Sequence, residues 1–235
     1  MATCTPALPH PRRRLRCSVA PVSATDHADF LTLLALTTLG GQLPAEAGAV
    51  LTLPPQGPLN THGPALCLTA QPRRGTNQSP IGALFASFPD WAATHPLAQA
   101  NPYLTEILSR RALLVYGVAV APQHRRQGIA RALLAETENR ARAVGYRMIT
   151  LLHTPDLAPF YQRLGYISAH NVTIAMPGSS MGLTQPPPYM TAVKPLVPSV
   201  RVRHLPGAPG PVVSALVPGW DLLAEARFEN GRLIT

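Results

Sequence analysis

Leu113 to Ala141 reads LLVYGVAVAPQHRRQGIARALLAETENRA, and three kinds of segment succeed one another in it. Leu113 to Val120 is an apolar run of strand length. Ala121-Pro122 breaks it, because proline has no N–H to give to a ladder. The basic turn Gln123-His124-Arg125-Arg126-Gln127 follows, and Gly128-Ile129-Ala130 then opens an amphipathic helix. Ile129, Leu133, Thr137, Ala141 and Val144 recur at helical spacing and form one face. Glu136–Arg140 and Glu138–Arg142 are i,i+4 pairs expected on the solvent side, each worth about 0.3–0.5 kcal/mol. Gly145 is a natural stop.

A strand that passes through a basic, glycine-bearing turn into a helix N-terminus suits a phosphate-bearing ligand. The first N–H groups of a helix have no partner within it, and the macrodipole makes that end positive. Gly128 lacks a Cβ, so a pyrophosphate can approach the backbone there. No Gly-Lys-Ser/Thr closes the turn, which excludes a Walker P-loop. The first two glycines of G-x-G-x-x-G are missing, which excludes a dinucleotide fingerprint. Downstream, Arg147 to Leu152 (RMITLL) reads as a strand, and strand–helix–strand implies a parallel pair. Thr154 to Tyr166 reads TPDLAPFYQRLGY. Pro159 is tolerated only near a helix start, so a helix is expected from about Ala158, ended by Gly165.

Arg125 to Ala130 fits the pattern Gln/Arg-x-x-Gly-x-Gly/Ala, with GVAVAP before it and RALL soon after. Together with Phe160-Tyr161-x-x-Leu164-Gly165-Tyr166 it resembles the acyl-CoA site and the FY-x-x-LGY/F segment of the GNAT superfamily of N-acyltransferases. The resemblance covers about residues 15–197 and is specific over 113–166. It implies an α/β fold: a mixed, twisted sheet with helices on both faces and a CoA-binding cleft. It also implies transfer of an acetyl (acyl) group from acetyl-CoA to an amine by direct attack on the thioester. Val118, Ala119 and Val120 would offer an open strand edge to the pantetheine arm. Arg125, Arg126, Gln127, Gly128, Ile129, Ala130 and Arg131 would hold the pyrophosphate, the arginine side chains adding charge. Gly117, if it marks a bulge, would permit close approach beside the strand. A backbone N–H near Val118–Val120 would polarise the thioester carbonyl.

Tyr161 is the catalytic candidate. In the family the tyrosine of this segment often lies near the sulfur and can protonate the leaving thiolate; the alternative is that it only packs on the arm. No general base declares itself, because the strand carries no glutamate. Tyr116, His95 and His153 are candidate relays through water, and Asp156 reads as a helix-terminus acid. The competing reading is a catalytically silent acyl-CoA-binding or regulatory protein on the same fold, which the missing strand carboxylate keeps open. No Ser–His–Asp order or metal-ligand cluster is visible.

The remaining chain is less distinctive. Residues 1–14 are Pro/Arg-rich and expected to be disordered. Leu15–Val22 reads as a strand. A helix capped by Thr25, with Phe30, Leu33, Leu34 and Leu36 on its face, should end by Gly40-Gly41. Residues 42–63 read as loop. Pro64–Ala70 and Ile81–Phe88 read as a hairpin around an Arg73–Asn77 turn. A short helix near Leu104–Leu108 either builds an acceptor pocket or covers a sheet edge. Val172–Met176 and Tyr189–Leu196 read as closing strands around a Gly178–Pro188 loop. Residues 198–235 form a C-terminal extension, expected to be flexible.

At 235 residues the chain suits one medium domain with tails, and 46% hydrophobic residues can fill its core. The net charge of +9 comes from arginine, Lys194 being the lone lysine. A basic balance fits nucleic acid, an anionic membrane or an anionic cofactor. No RNA-reading, zinc-finger or helix-turn-helix pattern accompanies it, which ranks nucleic acid last. Cys4, Cys17 and Cys67 form no disulfide framework and fit a reducing compartment, the cytoplasm. No apolar run of about 18 residues predicts a membrane span. The basic, acid-free first 25 residues also resemble an organelle transit peptide, against which Leu15–Ala24 reads as the first strand. The acceptor, a small amine, an antibiotic, a polyamine or a protein amino group, is not legible. Its pocket is expected between residues 25–45, 89–111 and 178–190. Closing strands in this family often pair across dimers, which leaves a homodimer open.

Overall fold

A computed structural model describes residues 17–37, 43–73, 79–176 and 179–235. The expected disordered segment 1–14 and most of the Arg73–Asn77 turn lie outside them. The chain begins with β1 (Cys17–Pro21), α1 (His27–Leu34), α2 (Leu43–Leu51), β2 (Leu66–Pro72) and β3 (Gly82–Ser87). Three short helices follow, α3 (Trp91–Thr94), α4 (Pro96–Gln99) and α5 (Pro102–Arg111), leading into β4 (Ala112–Val120). Next come α6 (Ile129–Ala143), β5 (Met148–His153), α7 (Ala158–Arg163) and β6 (Ile167–Ala169). Strands β7 (Asn171–Met176), β8 (Ser179–Thr184) and β9 (Met190–Pro195) precede β10 (Arg201–Arg203), β11 (Val212–Ser214), β12 (Arg227–Glu229) and β13 (Arg232–Ile234).

The main sheet has the order β1-β2-β3-β4-β5-β9-β6. It is mixed: β4 and β5 run parallel, as the strand–helix–strand pattern requires, and the other pairs are antiparallel. Strand alternation sends each strand's side chains to both faces. Leu66, Leu68, Leu84 and Val115 meet Ile129, Leu133 and Leu134 of α6 on one face. Cys67, Ala83, Phe85 and Ala119 meet α1 and α2 on the other. Further along that second face, Ala112, Met148 and Val193 pack on Leu104 and Leu108 of α5 and on Val172, Ile174 and Val213. Each fully buried leucine among these contributes roughly 1.5–3 kcal/mol through burial.

Several expectations give way. The segment read as loop over 42–63 contains α2, whose Leu43, Ala47 and Leu51 are buried at i, i+4 and i+8. The Pro/Gly content of its flanks hides that stripe. Thr25 does not cap α1: Ala24–Asp26 is a 3-10 turn, and Asp26 stands before the helix without a side-chain cap bond. The helix ends at Leu34, which leaves Leu36 exposed. The Gly178–Pro188 loop contains β8, and β6 was not foreseen. Val172–Met176 does not close the main sheet. It forms β7 of a second sheet, β10-β11-β7-β8.

That second sheet also corrects the C-terminal extension. β11 pairs parallel with β7, and Val212, Val213 and Leu216 are fully buried. The chain from 198 onward therefore completes a sheet begun at Asn171 instead of trailing as a flexible tail, and a boundary at 197 cuts through that sheet. Glu138 is also misplaced by the periodicity reading. It is buried, and its carboxylate accepts from Lys194 (2.7 Å), Arg142 (3.2 Å) and the Tyr166 hydroxyl (3.4 Å). Only its partner pair Glu136–Arg140 stays at the surface, at 2.7 Å.

Candidate active site

The site starts from an irregularity in β4. Gly117 lies opposite Phe85 of β3 and Val115 lies opposite Ala86, so Tyr116 is the extra residue of a bulge. A bulge bends its strand and increases its twist. On the other side β4 pairs with β5 only from Ala112↔Met148 to Val115↔Leu151. Beyond that point β4 continues with β3 to Val120, while β5 continues with β9 to His153. The two strands separate, and among the described residues the edge of Tyr116–Val120 away from β3 has no strand partner. The expected open edge at Val118, Ala119 and Val120 is therefore present.

Gly117 is used differently from the sequence reading. A Cβ there would lie 2.6 Å from Leu43 and 3.2 Å from Thr37. Its missing side chain admits α2 and the end of α1 against the strand, not a ligand. The bulged residue is Tyr116.

Past Val120 the chain makes a 3-10 turn, Pro122–His124, and enters α6 through Gly128. Arg126 (φ 62°) and Gly128 (φ 84°) both take the left-handed conformation, favoured for Gly128 and strained for Arg126. Arg125 Nε donates to the Val120 carbonyl at 3.3 Å, tying the turn to the strand end. Among the described residues no backbone carbonyl accepts from the N–H groups of Gln127 to Arg131. Gln127, Gly128 and Arg131 are exposed, Ile129 is buried against the sheet, and Ala130 is half-buried. The turn thus presents unpaired donors at the positive end of a 15-residue helix.

Two cavities meet at the split between β4 and β5. The smaller, about 130 Å³, lies between Val115–Val118 of β4, Leu151–His153 of β5 and Tyr161 of α7. The larger, about 350 Å³, lies toward α2 and α3 and is lined by Leu43, Glu46, Asp90, Trp91 and Thr191, among others. Val115, Tyr116, Leu151 and Leu152 line both, so the split is the common wall.

Tyr161 is buried, and burial pushes its phenol up to about 12. Its ring packs against His153 (centroids 4.9 Å apart), Phe160 (5.0 Å) and Tyr166 (5.7 Å). Its hydroxyl has no hydrogen-bond partner among the described residues. Those three contacts hold the ring.

The three candidate relays fare less well. His153 is buried, its Nδ1 lies 2.7 Å from the Thr154 carbonyl and its Nε2 lies 2.8 Å from Ser168 Oγ. Nδ1 donates to that carbonyl and Nε2 is hydrogen-bonded to the serine, so neither nitrogen is free to relay. His95 Nδ1 accepts from the Leu97 N–H as the cap of α4, and burial lowers its pKa. The Tyr116 hydroxyl donates to the Phe88 carbonyl (3.1 Å) and accepts from the Asp90 N–H (3.3 Å). Burial first, then the charges of Asp90 and Glu46, push that phenol up to about 12. Asp156 sits in the 3-10 turn before α7 and lines neither cavity. The sequence reading missed Glu46, Asp90 and Thr191. Glu46 lay in a segment taken for loop, and nothing local links Thr191 to the other two.

Residues 95–168 match the acetyltransferase (GNAT) domain family. The matched segment holds β4, the turn, α6, β5 and α7. A GNAT-family protein from Desulfovibrio desulfuricans superposes with a TM-score of 0.50 at 16% identity, over 77% of this chain and 99% of that one. The GNAT-family N-acetyltransferase YhbS of Escherichia coli, solved in complex with CoA, gives 0.50 at 21% identity, over 80% of this chain and 86% of that one. These likenesses establish the GNAT fold. No curated protein sequence matches. Among the described residues no helix is long and apolar enough to cross a membrane.

Proposed function

We propose that this protein is a GNAT acyltransferase, which transfers an acetyl (acyl) group from acetyl-CoA to an amine. The observation that carries the reading is the split between β4 and β5, which joins two cavities and has Tyr161 on one side. The residues fit an acyl-CoA at three points. Unpaired N–H groups from Gln127 to Arg131, with Arg125 and Arg126 nearby, suit the pyrophosphate. The free edge of Val118–Val120 suits the amide-bearing arm. The split itself leaves room for the thioester, which supplies an activated carbonyl and a thiolate leaving group.

In this reading an unpaired N–H near Val118–Val120 holds the carbonyl oxygen as negative charge develops on it. The C–N bond forms as the C–S bond breaks, the attacking neutral amine gives its proton to solvent, and Tyr161 donates a hydrogen bond to the sulfur that departs as thiolate. Complete proton transfer from a phenol near 12 to a thiolate near 8.5 is uphill by about 5 kcal/mol, so donation is the larger part of its role. The competing reading, a silent acyl-CoA-binding protein, rested on the absence of a strand carboxylate. Glu46 and Asp90 in the larger cavity weaken that argument.

Calorimetric titration with acetyl-CoA tests the reading, beside a Gly128→Glu variant that puts bulk and negative charge at the helix N-terminus. Micromolar binding by the wild type and its loss in the variant are expected, followed by amine-dependent release of free thiol. No binding by the wild type would end the transferase reading.

A further inference from the structure

The chain carries 20 basic residues and 11 acids, yet the larger cavity has the opposite sign. Glu46 and Asp90 line it, and no lysine, arginine or histidine does among the described residues. Glu46 has no ion pair or hydrogen bond among the described residues. Among the described residues Asp90 Oδ1 accepts only from the neighbouring Trp91 N–H, at 2.8 Å. The charges of both carboxylates reach the Tyr116 phenol on the wall shared with the smaller cavity.

A second observation comes from the floor of the same cavity. Thr191 is 2% exposed, and its buried Oγ1 has no hydrogen-bond partner among the described residues. Thr191 lies opposite Leu152 in the β5–β9 pair, so the two side chains share a face, and both line the cavity. A buried hydroxyl left unpaired costs on the order of 1–3 kcal/mol, which a ligand group bonding to it would recover. Trp91 also lines the cavity, and its buried Nε1 has no partner among the described residues. Leu43, Leu114, Leu152 and Leu183 give the cavity apolar lining, beside the polar Thr94, Thr150 and Gln185.

We propose that this cavity selects a small cationic amine with an apolar body and a distal hydroxyl or carbonyl. Glu46 and Asp90 attract the ammonium and repel acceptors that carry a carboxylate. Leu43, Leu152 and Trp91 take the body, and Thr191 Oγ1 bonds the distal polar group. A volume of about 350 Å³ is that of roughly a dozen waters, which suits a small molecule. The proposal rests on the acyl-transfer reading and names the acceptor class for it.

Three probes isolate the elements: tyramine, tyrosine (the same molecule with a carboxylate) and phenethylamine (the same without the hydroxyl). The alanine tripeptide with a free amino terminus represents protein acceptors. Amine binding is measured by calorimetry on the full chain, and turnover by free thiol with acetyl-CoA. Wild type should favour tyramine over tyrosine by about tenfold or more in kcat/KM, the effect of one partly screened charge pair. Glu46→Gln and Asp90→Asn should each shrink that ratio to about threefold or less, with acetyl-CoA affinity unchanged. Thr191→Val should weaken tyramine by about fivefold to the level of phenethylamine and leave phenethylamine as it was. Equal use of tyrosine and tyramine, a ratio unmoved in both carboxylate variants, or preference for the tripeptide would each overturn the proposal. If acetyl-CoA binds but amines show no charge selection, only this proposal falls. If acetyl-CoA does not bind, the transfer reading falls with it.

Discussion

Replacing Tyr161 with phenylalanine separates chemistry from packing at the split. The ring contacts to His153, Phe160 and Tyr166 need no hydroxyl, and the hydroxyl has no partner among the described residues. Folding stability should therefore move by no more than about 0.5 kcal/mol. Catalysis should respond very differently. A hydrogen bond to a charged acceptor is worth roughly 1.5–3 kcal/mol, and the acceptor here is the thiolate that develops as the bond breaks. The expected loss in kcat is about 10- to 150-fold, with little change in acetyl-CoA affinity. The pH profile adds a constraint. With the phenol pushed up to about 12, Tyr161 stays protonated across the neutral range, so it should contribute no alkaline limb to kcat below about pH 11. Steady-state kinetics by free-thiol release, a thermal melt and an acetyl-CoA titration on the same preparation decide the matter. An unchanged kcat would show that Tyr161 only packs. A loss of kcat matched by an equal loss of acetyl-CoA affinity would place its contribution in binding.

Four further outcomes follow from the geometry. Gly82→Ala puts a Cβ 2.8 Å from Ile129 Cγ2 and 3.2 Å from Leu133 Cδ1, so it should cost about 1–3 kcal/mol and weaken acetyl-CoA by tilting the start of α6; unchanged titrations would count against that coupling. Lys194→Met removes the 2.7 Å partner of buried Glu138 and should cost about 3 kcal/mol, lowering Tm by about 6–12 °C; a shift under about 2 °C would mean that Arg142 and Tyr166 suffice. The raised Tyr161 phenol contributes stability that is complete below pH 10 and lost as pH rises to about 12, where the unfolded chain ionises first. Roughly 3 kcal/mol should disappear across that window, visible as a Tm decline steeper than that of Tyr161→Phe. Ending the chain after Val197 removes Val200, Val212, Val213 and Leu216 from the core and should yield insoluble protein; a soluble, cooperative melt would restore the view of 198–235 as a dispensable tail.

Much of the central unit was legible because its signals are local. The proline break, the glycine at the helix start and the 3.6-residue stripe from Ile129 to Ala141 are each read from neighbours in sequence. They define β4, the turn, α6 and the parallel β5. The same holds for the Pro159 start and Gly165 stop of α7, which bring Tyr161 to the split. Glu138 shows the limit of that method. Its spacing to Arg142 says surface pair, but Lys194, more than fifty residues on, covers it from β9. Residues 42–63 and 178–188 were misread for a related reason. Short elements among prolines and glycines gain their stability from the surface they meet, and that surface is formed by distant parts of the chain.

The sequence by itself determined the superfamily resemblance, the strand–turn–helix unit and the candidacy of Tyr161, since each resides in a contiguous pattern of backbone and side-chain preferences. The tertiary structure alone decided the bulge at Tyr116, the parting of β4 from β5, the use of Gly117 for helix packing and the second sheet completed by β11. It alone also brought Glu46, Asp90 and Thr191 around one cavity. Those three residues lie on a helix, a helix cap and a strand far apart in the chain, and only long-range strand pairing and packing set the distances between them.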